Sequence, residues 1–329
     1  MIKRRFLATT ALVAPTLLML SAAAINPAFA ICSSTDGLAS SPDDGATVTC
    51  SGDTTLTITG NVDADVVLNE NATLGAAGTV IQLQETNITL NDGAEITSTG
   101  NRAIEIDGIN TGTLNIGDGA SIEANEDVLF ANNGEITIGG ISAGETPDNL
   151  TLTSSDNNVM EAGVVTARLG NNVTMTANST NNSINFGDGI DFVVGDNFQA
   201  SGDSIFVGSN EEFDNVITIG NNTRLVAENS LLLVDEDIVV DIGDDAYLRA
   251  DDVGFGVIGD TLTLTLGNDA TLDVSNGTEV GVTAKYIDFE SGAGLDMDTH
   301  DDAFEVFIGG SGGTITIGDN SSVTSEDGR

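Results

Sequence analysis

One phrase returns about every 25 residues along this chain: an apolar-x-apolar pair, Gly with one or two Asp, Asn or Gly, then a small residue and another apolar position. It reads TLNIGDGASIEA at Thr113–Ala124, VITIGNNTRLVA at Val216–Ala227, VVDIGDDAYLRA at Val239–Ala250, TLTLGNDATLDV at Thr263–Val274 and TITIGDNSSVTS at Thr314–Ser325. A fixed period means one structural unit stacked on copies of itself. Taking the residue after the second apolar position as reference gives Asp43, Asn69, Asn91, Gly117, Gly139, Gly170, Gly195, Gly220, Gly243, Gly267, Glu290 and Gly318, with a mean separation of 25. The longest step holds Ile141–Asn149 (ISAGETPDN), which reads as a loop bulging from one coil. Asp43 is the weakest member, because Pro42 fills its preceding inward position.

Within each copy the apolar residues alternate with period two, the mark of short strands with one buried face. Ile88/Leu90, Leu114/Ile116, Ile136/Ile138, Ile217/Ile219, Val240/Ile242, Leu264/Leu266 and Ile315/Ile317 are expected to point inward. So are Leu74, Ile96, Ile122, Met175, Leu225, Leu248, Leu272, Leu295 and Val323, five positions after each reference. Gly-Asp-Gly, Gly-Asn-Asn or Gly-Asp-Asp between the strands supplies residues that tolerate positive φ and a tight corner. The remainder of each unit, such as Ala124–Glu135, adds a further strand or two. These features predict an all-β fold, a right-handed parallel β-helix of about twelve coils of about 25 residues. At one strand spacing per coil the rod is roughly 55–60 Å long. Propeller blades need longer repeats, and the LxxLxL and Asn pattern of leucine-rich repeats is missing.

The ends carry different signals. Lys3, Arg4 and Arg5 precede an apolar run from Phe6 to Ala24, and Ala28-Phe29-Ala30 has small residues at both recognition positions of a signal peptidase. Residues 1–30 are thus expected to be a cleaved signal peptide, 31–53 an N-terminal cap and 54–329 the repeat region. Six cations (Arg102, Arg168, Arg224, Arg249, Lys285 and Arg329) then face 51 acids, a formal charge of −45. That surface repels phosphate backbones and excludes nucleic acid as a partner. The two cysteines, Cys32 and Cys50, are expected to bond in an oxidising compartment, a loop worth about 3 kcal/mol in the chain-entropy model. No cap is visible at the other end, where Gly328-Arg329 follow a well-formed repeat, so the chain is expected to be part of a longer polypeptide.

The leader, the small N-terminal cysteine loop and the Gly/Asn/Asp/Thr-rich coils without Trp together resemble the passenger region of monomeric autotransporters of Gram-negative bacteria. The likeness covers Ile31–Arg329 and is one of pattern. It implies a surface-exposed or secreted adhesin or structural rod, a host or matrix ligand, and a C-terminal outer-membrane β-barrel. The chain departs from that family in carrying no barrel strands of its own. Trimeric adhesins, with shorter head repeats and heptad stalks, fit less well.

Signals for chemistry are sparse. His300, in DTHDD, is the sole histidine and reads as a solvated loop residue. Gly202-Asp203-Ser204-Ile205 resembles a GDS-type esterase segment, but it lies mid-repeat, and Met297 stands where an Asp should precede the histidine by three. No catalytic residue and no cofactor is assigned, and the chain is expected not to be an enzyme. The alternative is a carbohydrate-active β-helix, a polysaccharide lyase or hydrolase, although no carboxylate pair stands out and cations are few. Asp118, Asp196, Asp244, Asp245, Asp269 and Asp319 recur at one corner and could bind calcium loosely. Asn171, Asn172, Asn221, Asn222 and Asn268 replace them freely, as turn chemistry predicts. Thr89, Thr137, Thr218, Thr265 and Thr316 share an outward position, interrupted by Arg168, Asp241 and Asp288, which β-propensity explains.

Overall fold

The computed structural model describes residues 31–60, 62–107, 111–178, 181–208, 215–235, 237–258, 261–275, 280–300, 305–306 and 312–325. The expected signal peptide, residues 1–30, lies outside them. The described residues form strands, turns and bends, and no helix.

The strands stack into three parallel ladders, so each coil has three faces. The first face runs from Thr47–Ser51 through Asp65–Leu68 and Thr86–Leu90 up to Thr314–Thr316, twelve strands deep. The second runs from Asp53–Thr55 to Ser322–Ser325, also twelve deep. The third begins at Ile58–Thr59 and ends at Glu305–Val306. This is a parallel β-solenoid.

Most strands on the first two faces alternate inward apolar with outward polar residues, and the register matches inward to inward from coil to coil. Leu114, for example, pairs with Ile88 below and Ile138 above. The inward residues join one buried cluster from Val48 to Met297. Aliphatic residues dominate it, because β-branched and Leu side chains tile a repeated 4.8 Å layer without polar atoms. Around Ile184–Phe206 the filling turns aromatic: Phe192 lies 5.8 Å from Phe198 and 5.5 Å, edge-on, from Phe206.

Cys32 and Cys50 are bonded. Ile31–Ser34 pairs antiparallel with Thr47–Ser51, the one antiparallel pairing among the described strands, and so covers the first ladder's lower edge. Segment 31–53 therefore supplies both this capping strand and the first ladder strand. Asp36 organises the connecting loop by accepting the amides of Leu38 (3.0 Å) and Asp43 (2.6 Å). The nearby Ser34 hydroxyl and those two amides hold its carboxyl down at about pKa 2.

Four readings of the repeat need correction. Asp43 lies in the cap loop; the first-face strand ends at Cys50, paired with Leu68, so Ser51 takes the reference position. Glu290 is an outward strand residue, because buried Ser291 fills the slot of Leu266, and Gly292 is the corner. Accordingly Met297 stacks on Leu272, while Leu295 is buried as expected, two residues earlier in the coil. Gly139 is also outward, since Gly140 pairs with Ile116, and the corner glycine of that coil is replaced by the insertion. Finally, Ile315, Ile317 and Val323 are 46%, 40% and 40% exposed, for they belong to the last described coil and are packed on one side only.

Candidate functional site: the acidic corner and the insertion beside it

The corner between the first and second faces repeats almost without variation, and its geometry follows from three residue types. The glycine comes first. A Cβ on Gly195, Gly220, Gly243, Gly267 or Gly292 would sit 2.6–2.7 Å from the side-chain oxygen of the Asx below it. Glycine is thus required here for close approach, while the positive φ expected of it falls two residues later, at Asn172, Asn197, Asn222, Asp245, Asp269 and Asn320.

The second residue supplies that oxygen. The Oδ1 atoms of Asp92, Asp118, Asp148, Asn171, Asp196, Asn221, Asp244 and Asn268 each accept the amide of the equivalent residue one coil on, at 2.6–3.0 Å. The third residue, in the left-handed conformation, donates its amide to the next coil's corner carbonyl at 2.8–2.9 Å, from Asn71 to Gly294. A tight bend would otherwise strand these groups, and unmet backbone donors near a core are costly.

The six aspartates read as one calcium column therefore separate into two. Asp118, Asp196, Asp244 and Asp319 stand at the second corner position, and Asp245 and Asp269 at the third. Asp118, Asp196 and Asp244 each use one oxygen as a backbone cap. From Asn171 to Asn268 amide and carboxylate alternate, and the Asn221 and Asn268 amides donate to the carboxylates below at 3.1 and 3.0 Å. That alternation keeps like charges two coils apart. Among the described residues no three His, Cys, Asp or Glu side chains converge to hold a metal ion.

The alternation fails at one place. Asp92, Asp118 and Asp148 follow one another, and there the insertion leaves the rod. Its turn is closed by the Gly140 amide on Glu145 O and the Glu145 amide on Ser142 O, both 3.0 Å. Between insertion and corner lies an open cleft of about 450 Å³, bordered by those three aspartates, Glu145 and Ile141. Ile141 is 41% exposed. Asp148 then rejoins the corner column, so the coils stay in step across the longer loop.

The other candidates are scattered. Buried Ser204 contacts the neighbouring Asp203 at 3.3 Å, and its strand stacks on that of Ser230. His300 lies four coils further along, roughly 19 Å at one strand spacing per coil, beside a small cleft with Asp273 and Asp298. Of the threonines, Thr137 stacks on Thr113 and under Thr166, one outward column away from Thr89, Thr218, Thr265 and Thr316. Asn115 and Val67 flank Thr89, and Asp241 lies between Thr218 and Thr265, so no unbroken threonine file forms.

One cluster escaped sequence reasoning. Arg102 donates to the buried Asp127 carboxylate (2.9 Å) and to Glu105 (3.0 Å), with its guanidinium 3.4 Å from the Phe130 ring centre. Asp127 also accepts the Asn158 amide at 3.1 Å. Burial pushes the Glu105 carboxyl above its usual value, against the pull of Arg102. No repeat marks these residues; an arginine, one of six cations after the leader of an acidic chain, was the available hint.

Compared with protein-family models, with curated proteins and with solved structures, the chain matches none.

Proposed function

We propose that this chain is an exported, surface-displayed or secreted rod of the autotransporter-passenger kind, which works by binding along its length and not by catalysis. The single observation that carries this reading is the uninterrupted parallel stack, whose corner oxygens are committed to holding successive coils together. A residue set of that kind supports length and regularity. A GDS-type esterase finds less support, since Ser204 is buried and the histidine is several coils away, so the pieces of an acyl-transfer site do not meet. The carbohydrate-active alternative is left to the turnover screen below.

In this proposal export uses the N-terminal leader, an outer-membrane barrel tethers the rod, and the ligand is a protein of a host or matrix surface. No cofactor takes part. Calcium held loosely by the acidic surface, without a defined site, is a subsidiary part of the proposal. High negative charge keeps the rod soluble and away from anionic surfaces.

The test is adhesion of purified residues 31–329, immobilised on beads, to cultured cells and to extracellular-matrix protein, with a parallel screen of turnover on polysaccharides. Saturable adhesion without turnover is expected. Reproducible turnover abolished by one carboxylate substitution, Glu105→Gln or another, would replace the rod with a carbohydrate-active enzyme.

A further inference from the structure

The third corner, where the third face returns to the first, holds a notch that combines aliphatic walls with a carboxylate on each rim. Two columns form it. Glu135, Val164 and Gly189 stack in one, and Thr166, Asp191 and Val216 in the next. Gly189 has no side chain, so the first column is interrupted, and a cavity of about 380 Å³ opens between the carboxylates of Glu135 and Asp191. Its walls are aliphatic, from Val164, Ile190 and Val216. Val239, the next residue in Val216's column, is 44% exposed and extends that apolar strip.

The chain itself shows what such a rim accepts. Arg168 donates to the Asp191 carboxylate through Nη2, and to the carbonyl oxygens of Ala167 and Asp191 through Nη1 at 3.0 Å. On the opposite rim, Glu135 makes no ion pair among the described residues and accepts the Thr137 hydroxyl at 3.5 Å. A ligand for this notch needs an apolar stem and a cationic head. Lysine and arginine side chains combine the two. An anion is disfavoured by 51 acids against nine cations in the chain, and no aromatic face lines the notch for a sugar ring.

We propose that the notch receives a lysine or arginine side chain from an extended basic segment of a partner polypeptide, with Glu135 as the anchoring carboxylate and Arg168 as a built-in competitor. The proposal rests on the binding-rod reading and gives it a partner chemistry. The probe is a fluorescein-labelled nonapeptide of alternating Lys and Thr, titrated with residues 31–329 in 50 mM NaCl and followed by anisotropy.

Glu135→Gln is expected to weaken binding about fivefold, the effect of one partly exposed ion pair. Glu123→Gln, on the second face, removes the same charge and is expected to change it less than about 1.5-fold. Arg168→Ala is expected to tighten binding about threefold, and Arg168→Gln likewise, while Arg249→Ala, an equal change of charge elsewhere, does not. Equal effects of Glu135→Gln and Glu123→Gln, or of the Arg168 and Arg249 variants, would mean that peptide follows overall charge and would overturn the notch. Loss of bead adhesion with Glu135-dependent peptide binding intact would sink the adhesin reading alone.

Discussion

The first corner and the other two corners solve the same problem, turning a chain sharply beside a dry core, by opposite means. At the first corner most coils use one short set, Gly-Asx-Asx or a near variant of it, and from Asp92 to Ala293 each second corner residue is tied to the one a coil below. At the others, individual side chains do the work once each. Arg102 gathers Asp127, Glu105 and Phe130 at one turn. Buried Asn215 accepts the Ile190 amide at 3.1 Å and donates to Asp237 O at 3.0 Å at another. A repeated solution spreads stability evenly and tolerates the loss of one copy; a unique solution concentrates it. The binding features also differ by corner. The insertion leaves from the regular corner, at the single run where Asp follows Asp. The notch opens at the irregular one, where the ladder register shifts between Ala162 and Val164.

Substitutions should expose this contrast, beginning with the largest effect. Arg102→Met strands the fully buried Asp127 carboxylate, and a loss of about 3–5 kcal/mol in urea unfolding is expected. Asn215→Ala leaves an amide and a carbonyl unmet and should cost about 2 kcal/mol in the same assay. Gly243→Ala pushes a Cβ to 2.6 Å from Asn221 Oδ1, and about 2 kcal/mol is expected to be lost. Gly139→Ala, which meets nothing within 4 Å, should stay within about 0.5 kcal/mol. Equal costs for the two glycines would break the close-approach argument. Asn221→Asp places three carboxylates in consecutive coils, and a loss of about 1 kcal/mol that shrinks in 0.5 M NaCl is expected. Asp118→Asn should reverse that sign in the run of three.

The smallest expected effect belongs to the cap. Because the folded pKa of Asp36 is depressed to about 2 from 3.8, its contribution is complete above pH 3.8 and disappears as pH falls through 2. Asp36→Asn should flatten that acid dependence, read as amide exchange in Ile31–Ser34 between pH 4 and pH 2, and leave the rod's own unfolding unchanged.

Most of the stack was legible because its signal is collective. A residue such as Leu264 is uninformative alone, but a file of apolar positions returning at one period admits few folds. Register slipped where a copy broke the apolar rule while keeping the backbone: Ser291 and Gly140 occupy inward slots, so counting apolar pairs moved the reference from Gly292 to Glu290 and from the insertion to Gly139. The role of the corner glycine was misassigned for a different reason. Contact with a side chain one coil away is invisible within a single copy, whereas a turn-forming triplet is not. Arg102, Glu135 and Asp191 meet neighbours 23 to 29 residues distant, at positions whose outward residues follow no pattern, and only the folded register brings those neighbours together.

The most direct test of the stacked coils is a pair of spin-label distances along one outward column, with the Cys32–Cys50 bond left intact. Thr89 and Thr218 are five coils apart, and Thr89 and Thr265 seven. The stack predicts about 24 and about 34 Å between the backbone positions, rising in proportion to the number of coils. Distances that fail to grow between the two pairs, as antiparallel hairpins folded into separate units would give, would contradict it.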